Sequence, residues 1–274
     1  AEIAPDQLQV QQAQVLVALQ ENKLDQALAV ARKVQTQRPQ EAVGFNMEGD
    51  IELRRRNWDA AAAVLRKAVA RTPSGDAPQR LHAALVAGGK AAEAQTWAQE
   101  WRNKQPDDMG FVLHLGDQAI VGWHVSKGDW NGDQAMASGK TADAEALYRQ
   151  VIDKQPANVL ALNNLAYVLA REKKPGSVAL AEQALQRAPK SAAVMDTLAL
   201  ALAAENQLPR AVDVQKQAVA AAPEAHNFRL QLAKLMLEAG DKTNARTELS
   251  TLAALGSKFP RQAEVADLIK TADK

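Results

Sequence analysis

The sequence predicts an all-α protein built from repeated helical pairs, on three observations. Alanine, the best helix former, supplies 56 of the 274 residues, whereas aromatic residues, which favour strands, make up only 4%. Prolines recur at a nearly constant interval along most of the chain. Between them, apolar residues are spaced as on one face of a helix, for example Leu162, Leu165 and Leu169.

Seven prolines set the length of the repeat. Their successive spacings are 34, 34, 33, 50, 33 and 34 residues, so the fourth interval is one period plus 16 residues. These spacings predict seven repeats and a final capping helix at residues 261–271. The prolines are Pro5, Pro39, Pro73, Pro106, Pro156, Pro189 and Pro223. The repeats fall near residues 8–41, 42–74, 75–108, 109–158, 159–191, 192–225 and 226–260.

Small residues mark the places where the two helices of a repeat are expected to cross. Gly49 and Gly116 occupy one such place, at which His82 is the exception, and Ala27 and Ala61 occupy the other. A single pair cannot bury its own apolar face, so neighbouring pairs must stack. We therefore predict one solenoid domain over residues 1–274.

The period, the small residues and the prolines together resemble the tetratricopeptide (TPR) repeat family over roughly residues 8–255. This resemblance implies a right-handed superhelix of helix-turn-helix repeats. Residues 161–170, 194–203 and 258–266 are further similar to the TPR-repeat lipoproteins of bacterial exosortase/PEP-CTERM systems, the PrsT-like proteins. The narrower resemblance implies an exported protein for exopolysaccharide and surface-protein sorting, with its lipid-bearing cysteine upstream.

The family resemblance also implies a binding groove, because the first helix of each TPR pair lines a concave surface for a peptide or partner helix. Asparagine suits contacts with a ligand backbone, since its amide offers both donors and an acceptor. For any single residue, a solvated helix face is the alternative. The groove positions carry Asn46, Asp50, Arg54, His114, Asp117, Asn163, Asn164, Tyr167, Arg171 and Asp196.

Several ligand classes are disfavoured. A net charge of +1 offers no electrostatic footprint for nucleic acid, and no apolar run is long enough to span a membrane. The chain has no cysteine, and its four histidines lack metal-site spacing, so no metal and no cofactor are predicted. Chaperone-adaptor TPR domains bind acidic C-terminal carboxylates through a groove lysine, and no lysine stands at that position in any repeat here.

The fourth repeat carries an insertion at residues 124–139. Trp123 and Trp130 lie beside and within it, and an exposed tryptophan can anchor a partner. Two alternatives are a loop pinned on the solenoid and an extension of the preceding helix. The run from Asp129 resembles the start of an EF-hand loop, but Gln134 and Lys140 replace its required glycine and glutamate.

We therefore predict a non-enzymatic protein-interaction scaffold, periplasmic or associated with the outer membrane, in a sorting or exopolysaccharide system. A cytoplasmic adaptor that binds a partner peptide is the alternative. A repeat-built enzyme domain is a third hypothesis, opposed by the lack of a catalytic triad or phosphate loop. Pro5 indicates either an upstream repeat or a simple start to the first helix. Membrane attachment is expected only through an upstream lipid anchor, and exposed solenoid ends would allow self-association.

Overall fold

The computed structural model describes residues 7–72, 75–125 and 138–273, and this part of the chain is all-helical. It contains fifteen α-helices and one short 3-10 helix (Gly256–Lys258) and no strand. The α-helices are α1 Leu8–Gln20, α2 Leu24–Gln37, α3 Val43–Arg54, α4 Trp58–Arg71, α5 Ala77–Ala87, α6 Ala91–Lys104, α7 Met109–Val125, α8 Ser138–Lys154, α9 Val159–Arg171, α10 Ser177–Arg187, α11 Ala192–Ala204, α12 Leu208–Ala221, α13 His226–Glu238, α14 Lys242–Ala253 and α15 Gln262–Ala272.

The helices follow the predicted pairing, with odd-numbered first helices and even-numbered second helices from α1 to α14. Each described turn within a pair contains a residue with a left-handed backbone, and the α9–α10 turn contains a second one, Gly176. Glycine fills this position at Gly89 and Gly240, and glycine adopts the left-handed conformation without steric strain. Asn22, Arg56, Lys173 and Asn206 adopt it elsewhere, at φ of 52–59°. The turn conformation is therefore fixed by the repeat, whatever residue occupies it.

The residues fall into two compact units, Ala1–His114 (unit 1) and Leu115–Lys274 (unit 2), which are described separately. In unit 1, apolar side chains between consecutive helices form the core, with Ile51, Leu65 and Leu81 inaccessible to solvent. Ala27 and Ala61, predicted at close crossings, are also completely buried. Alanine at these points lets the helix backbones approach each other.

In unit 2, the largest core cluster joins α9 to α14 and includes Leu198, Leu202 and Leu235. A second cluster at the C-terminal end places Phe259 and Val265 against α13 and α14. The final helix α15 thereby covers the apolar face of the last pair, as expected of a capping helix. Its bounds, Gln262–Ala272, match the predicted residues 261–271 within one residue.

Glycine permits a close helix crossing in each unit. A Cβ atom on Gly49 would lie 2.6 Å from Leu65 Cδ2 in unit 1. In unit 2, a Cβ atom on Gly116 would lie 2.7 Å from Tyr148 Cε1. Carbon atoms in ordinary contact are about 3.5–4.0 Å apart, so any larger residue would push the helices apart. The sequence-based prediction of close crossings here is confirmed.

The two helices that flank the insertion are longer than predicted. Helix α7 continues to Val125 and α8 begins at Ser138, so both helices enter the predicted insertion at residues 124–139. The first helix of this repeat thus extends into the insertion. Trp130 and most of the insertion lie outside the described residues, as does the side chain of Trp123. In the part of the chain that the structure describes, no helix meets the length and hydropathy needed to cross a membrane.

Candidate functional site

Unit 1 contains a cavity of about 710 Å³ along its first helices, α1, α3 and α5. Leu16 and Leu19 from α1 and Val43 from α3 form its apolar wall. The predicted groove residues Asn46 and Asp50 also line it. Residues three and four apart share one helix face, which explains why α3 directs Val43, Asn46 and Asp50 to the same side. The structure therefore brings two predicted groove residues together at a concave surface.

The polar side of this cavity is an ion-pair network centred on Arg80 of α5. Its guanidinium lies 2.8 Å from Asp50 Oδ1 and also pairs with Asp76 one helical turn earlier. Burial raises the pKa of Asp50, and the positive charge of Arg80 partly opposes that rise. Glu41 supplies a third carboxylate to the lining. In the described part of the lining, three acidic groups thus face the cavity with one basic group.

Asn46 presents a hydrogen-bonding group that the described residues do not use. Its Oδ1 atom is buried and has no hydrogen-bond partner among them. Asn163, at the equivalent place in unit 2, has the same property. A buried polar atom without a partner costs roughly 1–3 kcal/mol, which a donor from a ligand would recover. These atoms are candidate contacts for a peptide N–H group.

Arg54, another predicted groove residue, contacts the neighbouring repeat. Its Nη1 donates a 2.8 Å hydrogen bond to the Leu19 carbonyl, in the last turn of α1. The last carbonyls of a helix have no partner within the helix, so a cation there satisfies an acceptor and complements the helix dipole. This contact gives Arg54 a structural role between α1 and α3.

His114 belongs to a histidine pair that no local sequence pattern indicates. His82 Nδ1 and His114 Nε2 are 3.1 Å apart, and both rings adjoin Phe111. Burial lowers the pKa of His114 to about 4, with a further contribution from His82, and burial also lowers the pKa of His82. Both rings are therefore neutral at pH 7, and one can donate to the other. No cluster of three or more potential metal ligands occurs in the described ranges.

Unit 2 places Asp117, Asn163 and Asn164 in one hydrogen-bond network. Tyr148 Oη and Asn164 Nδ2 each donate a 2.8 Å bond to Asp117 Oδ1. Asn163 Nδ2 donates to Asn164 Oδ1 at 3.1 Å. Burial, together with the adjacent Asp117 carboxylate, raises the pKa of Tyr148 strongly, so its hydroxyl stays protonated. Tyr148 is not among the predicted groove residues, and only the packing of α8 beside Gly116 brings its hydroxyl to Asp117.

Asp196 stands on α11 beside a completely buried amide. Gln215 Nε2 donates to Asp196 Oδ1 at 2.6 Å and to the Phe228 carbonyl at 3.0 Å. Burial raises the pKa of Asp196, and the Gln215 bond opposes this rise. Tyr167 and Arg171 are half-buried on α9. The predicted groove residues therefore fall into two groups, one in each unit.

Comparison with known proteins identifies the family. The family model for the tetratricopeptide repeat matches residues 13–76, 131–196 and 197–260, which together exceed half of the chain. The protein therefore belongs to the TPR family, whose members are typically non-enzymatic modules for protein–protein interaction. No curated protein matches the sequence significantly.

Many solved structures share the fold at low sequence identity. A chain of the APC/C hetero-tetramer Cut9–Hcn1 superposes with a TM-score of 0.65 at 17% identity, over 98% of this chain and 50% of that chain. The present chain thus spans about half of that relative. A TPR protein from Parabacteroides merdae gives 0.58 at 11% identity, covering 97% and 98%. PilF from Pseudomonas aeruginosa gives 0.59 at 16%, covering 82% and 96%. These similarities establish the fold alone.

Proposed function

We propose that the protein is a non-catalytic scaffold that holds a segment of a partner protein against the first helices of its repeats. The observation that carries this proposal is the cavity in unit 1. It combines an apolar wall, an ion-pair network and the unused acceptor of Asn46 in about 710 Å³. Sites of this kind bind by burying apolar side chains and by fixing the ligand with a few polar groups.

The groove residues of unit 2 give the proposal separate support. Asp117, Asn163 and Asn164 lie on first helices and are joined by hydrogen bonds. The network fixes the orientation of both amides, so a ligand backbone would meet groups that are already positioned. Pre-ordered side chains lower the entropy lost on binding. The unused Asn163 Oδ1 atom is a candidate acceptor for a backbone N–H group.

We further propose that this scaffold works in the bacterial cell envelope, in an exopolysaccharide or PEP-CTERM protein-sorting system, as a periplasmic or outer-membrane-associated protein. The support is the resemblance of residues 161–170, 194–203 and 258–266 to PrsT-like lipoproteins. A cytoplasmic adaptor for a partner peptide is the alternative. Fractionation of the native host decides between the two, because only the envelope proposal requires the protein outside the cytoplasm.

Affinity capture with matched variants tests the scaffold function. The bait is the full chain, incubated with envelope and cytoplasmic extracts of the native host. One groove variant combines Leu16→Ser and Asn46→Ala in unit 1. The other combines Asn163→Ala, Asn164→Ala and Arg171→Ala in unit 2. Gln217→Ala, at an exposed site on the second helix α12, is the control.

We expect a partner that is retained by the wild type and by the Gln217→Ala control but lost with at least one groove variant. Circular dichroism must show that the groove variants keep their helical content. A partner captured equally by all forms would place the binding surface away from the first helices. Failure of the wild type to capture any specific partner from either extract would refute the scaffold proposal.

A further inference from the structure

We infer that the unit 1 cavity selects a peptide segment in which a lysine or arginine side chain lies next to a large apolar side chain. The inference rests on the proposed function and adds the chemistry of the ligand. It follows from the charges and the apolar wall of this cavity. The opposite specificity, for an acidic C-terminal segment, is disfavoured by the same charges.

The charged groups that line the cavity leave an excess of negative charge. Among the described residues, Glu41, Asp50 and Asp76 face it with Arg80 as the one basic lining residue, so these four groups sum to −2. Arg80 is shared between Asp50 and Asp76 and makes no pair with Glu41 in the structure. A cationic side chain entering the cavity would meet carboxylates that Arg80 neutralises only in part. Complementary charge of this kind also speeds encounter and excludes wrong partners.

Two other arginines, one on α3 and one on α4, make their contacts away from the cavity lining. Arg54 donates to the Leu19 carbonyl, and the Arg71 guanidinium lies 3.8 Å from the centroid of the Phe45 ring. Arg71 also donates to the Pro39 carbonyl at 2.7 Å. Neither arginine is among the residues that line the cavity. Because both guanidinium groups are bound at these other contacts, the described lining of the cavity remains negatively charged.

The apolar wall supplies the second half of the specificity. Leu16 leaves 58% of its surface exposed, which is unusual for a large apolar side chain of this protein. Val43 and Leu19 are partly exposed beside it along the cavity. Covering such a surface with a ligand side chain is favourable because it removes apolar area from water. A ligand with an adjacent apolar and cationic side chain would contact both sides at once.

The placement of Asp50 supports a cationic ligand over a neutral one. Asp50 lies within the cavity wall, and its carboxylate is 2.8 Å from one Arg80 nitrogen. Partial burial disfavours its charged form, so a second positive group nearby would stabilise it. The Asn46 Oδ1 atom, on the same face of α3, would accept a hydrogen bond from the ligand backbone. Charge, apolar contact and backbone recognition thus meet at one place.

An oriented library of eight-residue peptides, presented to the full-length wild-type protein, tests the inference. We expect enrichment of lysine or arginine next to leucine, isoleucine or methionine. The enriched peptide is then resynthesised with a fluorescent label and titrated by anisotropy. Replacing its cation by glutamate, or its apolar residue by serine, should weaken binding about tenfold, and raising the salt concentration should weaken it further.

Protein variants assign the effect to the cavity. Glu41→Lys with Asp76→Lys reverses two exposed charges, should weaken the basic peptide about tenfold and should shift library preference toward acidic peptides. Leu16→Ser should weaken both kinds of peptide. Lys67→Glu, a charge reversal at an exposed site on α4, is the control and should change neither.

Two results would overturn the inference. Enrichment of acidic or uncharged peptides that still depends on Leu16 would leave the scaffold function intact and remove its basic specificity. No enrichment above background with the wild type would also overturn it. Capture of a natural partner from extracts remains the independent test of the scaffold function, so the two failures are distinguishable.

Discussion

Replacing Gly49 by alanine tests the close crossing of α3 and α4. The new Cβ atom would lie 2.6 Å from Leu65 Cδ2 and 2.8 Å from Leu65 Cγ, about 1 Å inside ordinary contact. Leu65 is completely buried in a close-packed core, so its side chain can move only by displacing its neighbours. Overpacking of this kind costs about 1–3 kcal/mol, and the better helix propensity of alanine offsets about 0.5–1 kcal/mol. We expect a net loss of about 1–2 kcal/mol of unfolding free energy.

Urea unfolding followed by circular dichroism measures this loss. The expected result for Gly49→Ala is a lower midpoint with an unchanged slope. Gly110→Ala is the control, because its Cβ atom would meet the flexible end of Gln79 at 3.1 Å. It should leave the midpoint unchanged or raise it slightly. A Gly49→Ala variant that is as stable as the wild type would refute the steric argument. Equal losses in both variants would show that the crossing is not the cause.

Three further predictions concern the stability contributed by His114, Tyr148 and the backbone at Arg56. Burial lowers the pKa of His82 and His114 below the value of 6.5 in the unfolded chain, so protonation favours unfolding. The pKa of His114 is about 4 in the folded protein, so the His114 contribution to the free energy of unfolding is present above pH 6.5. The free energy of unfolding should therefore be about 2 kcal/mol lower at pH 5 than at pH 7. Urea midpoints across this range should vary less in His114→Gln, and an equal variation would contradict the assignment. Tyr148→Phe removes the hydrogen bond to Asp117 but keeps the ring, so thermal or urea unfolding should show a loss of about 1–3 kcal/mol; no loss would mean that the bond contributes nothing. Arg56→Gly relieves a left-handed backbone at φ 59° and should raise the urea midpoint by the equivalent of about 0.5–1 kcal/mol, whereas a lower midpoint would contradict the strain.

The helices and their order were predictable from the sequence because the signals are local and repeated. The apolar spacing in residues 161–171 matches α9, and the final helix was placed within one residue. The positions of Gly49 and Gly116 in the repeat identified the close crossings from the sequence. Prediction was weaker at the insertion, where no second copy of the pattern fixes the helix ends. Helix α7 accordingly extends further than expected.

The groove residues were only partly predictable. Family positions pointed to Asn46 and Asp50, and the structure places both at one cavity. Their binding role stays a prediction. The same positions also included Arg54, whose hydrogen bond to the Leu19 carbonyl serves the packing of neighbouring repeats. A position in a repeat specifies which side of a helix a residue occupies, but a long side chain can reach several partners from there.

The sequence by itself therefore determined the all-α repeat architecture, since a 34-residue period and a helical spacing of apolar residues recur along the chain. Tertiary structure alone decided the contacts between residues distant in sequence. His82 meets His114 across 32 residues, and Tyr148 meets Asp117 across 31. The physical reason is that burial and partner distance set hydrogen bonding and pKa, and both depend on how closely successive helices pack.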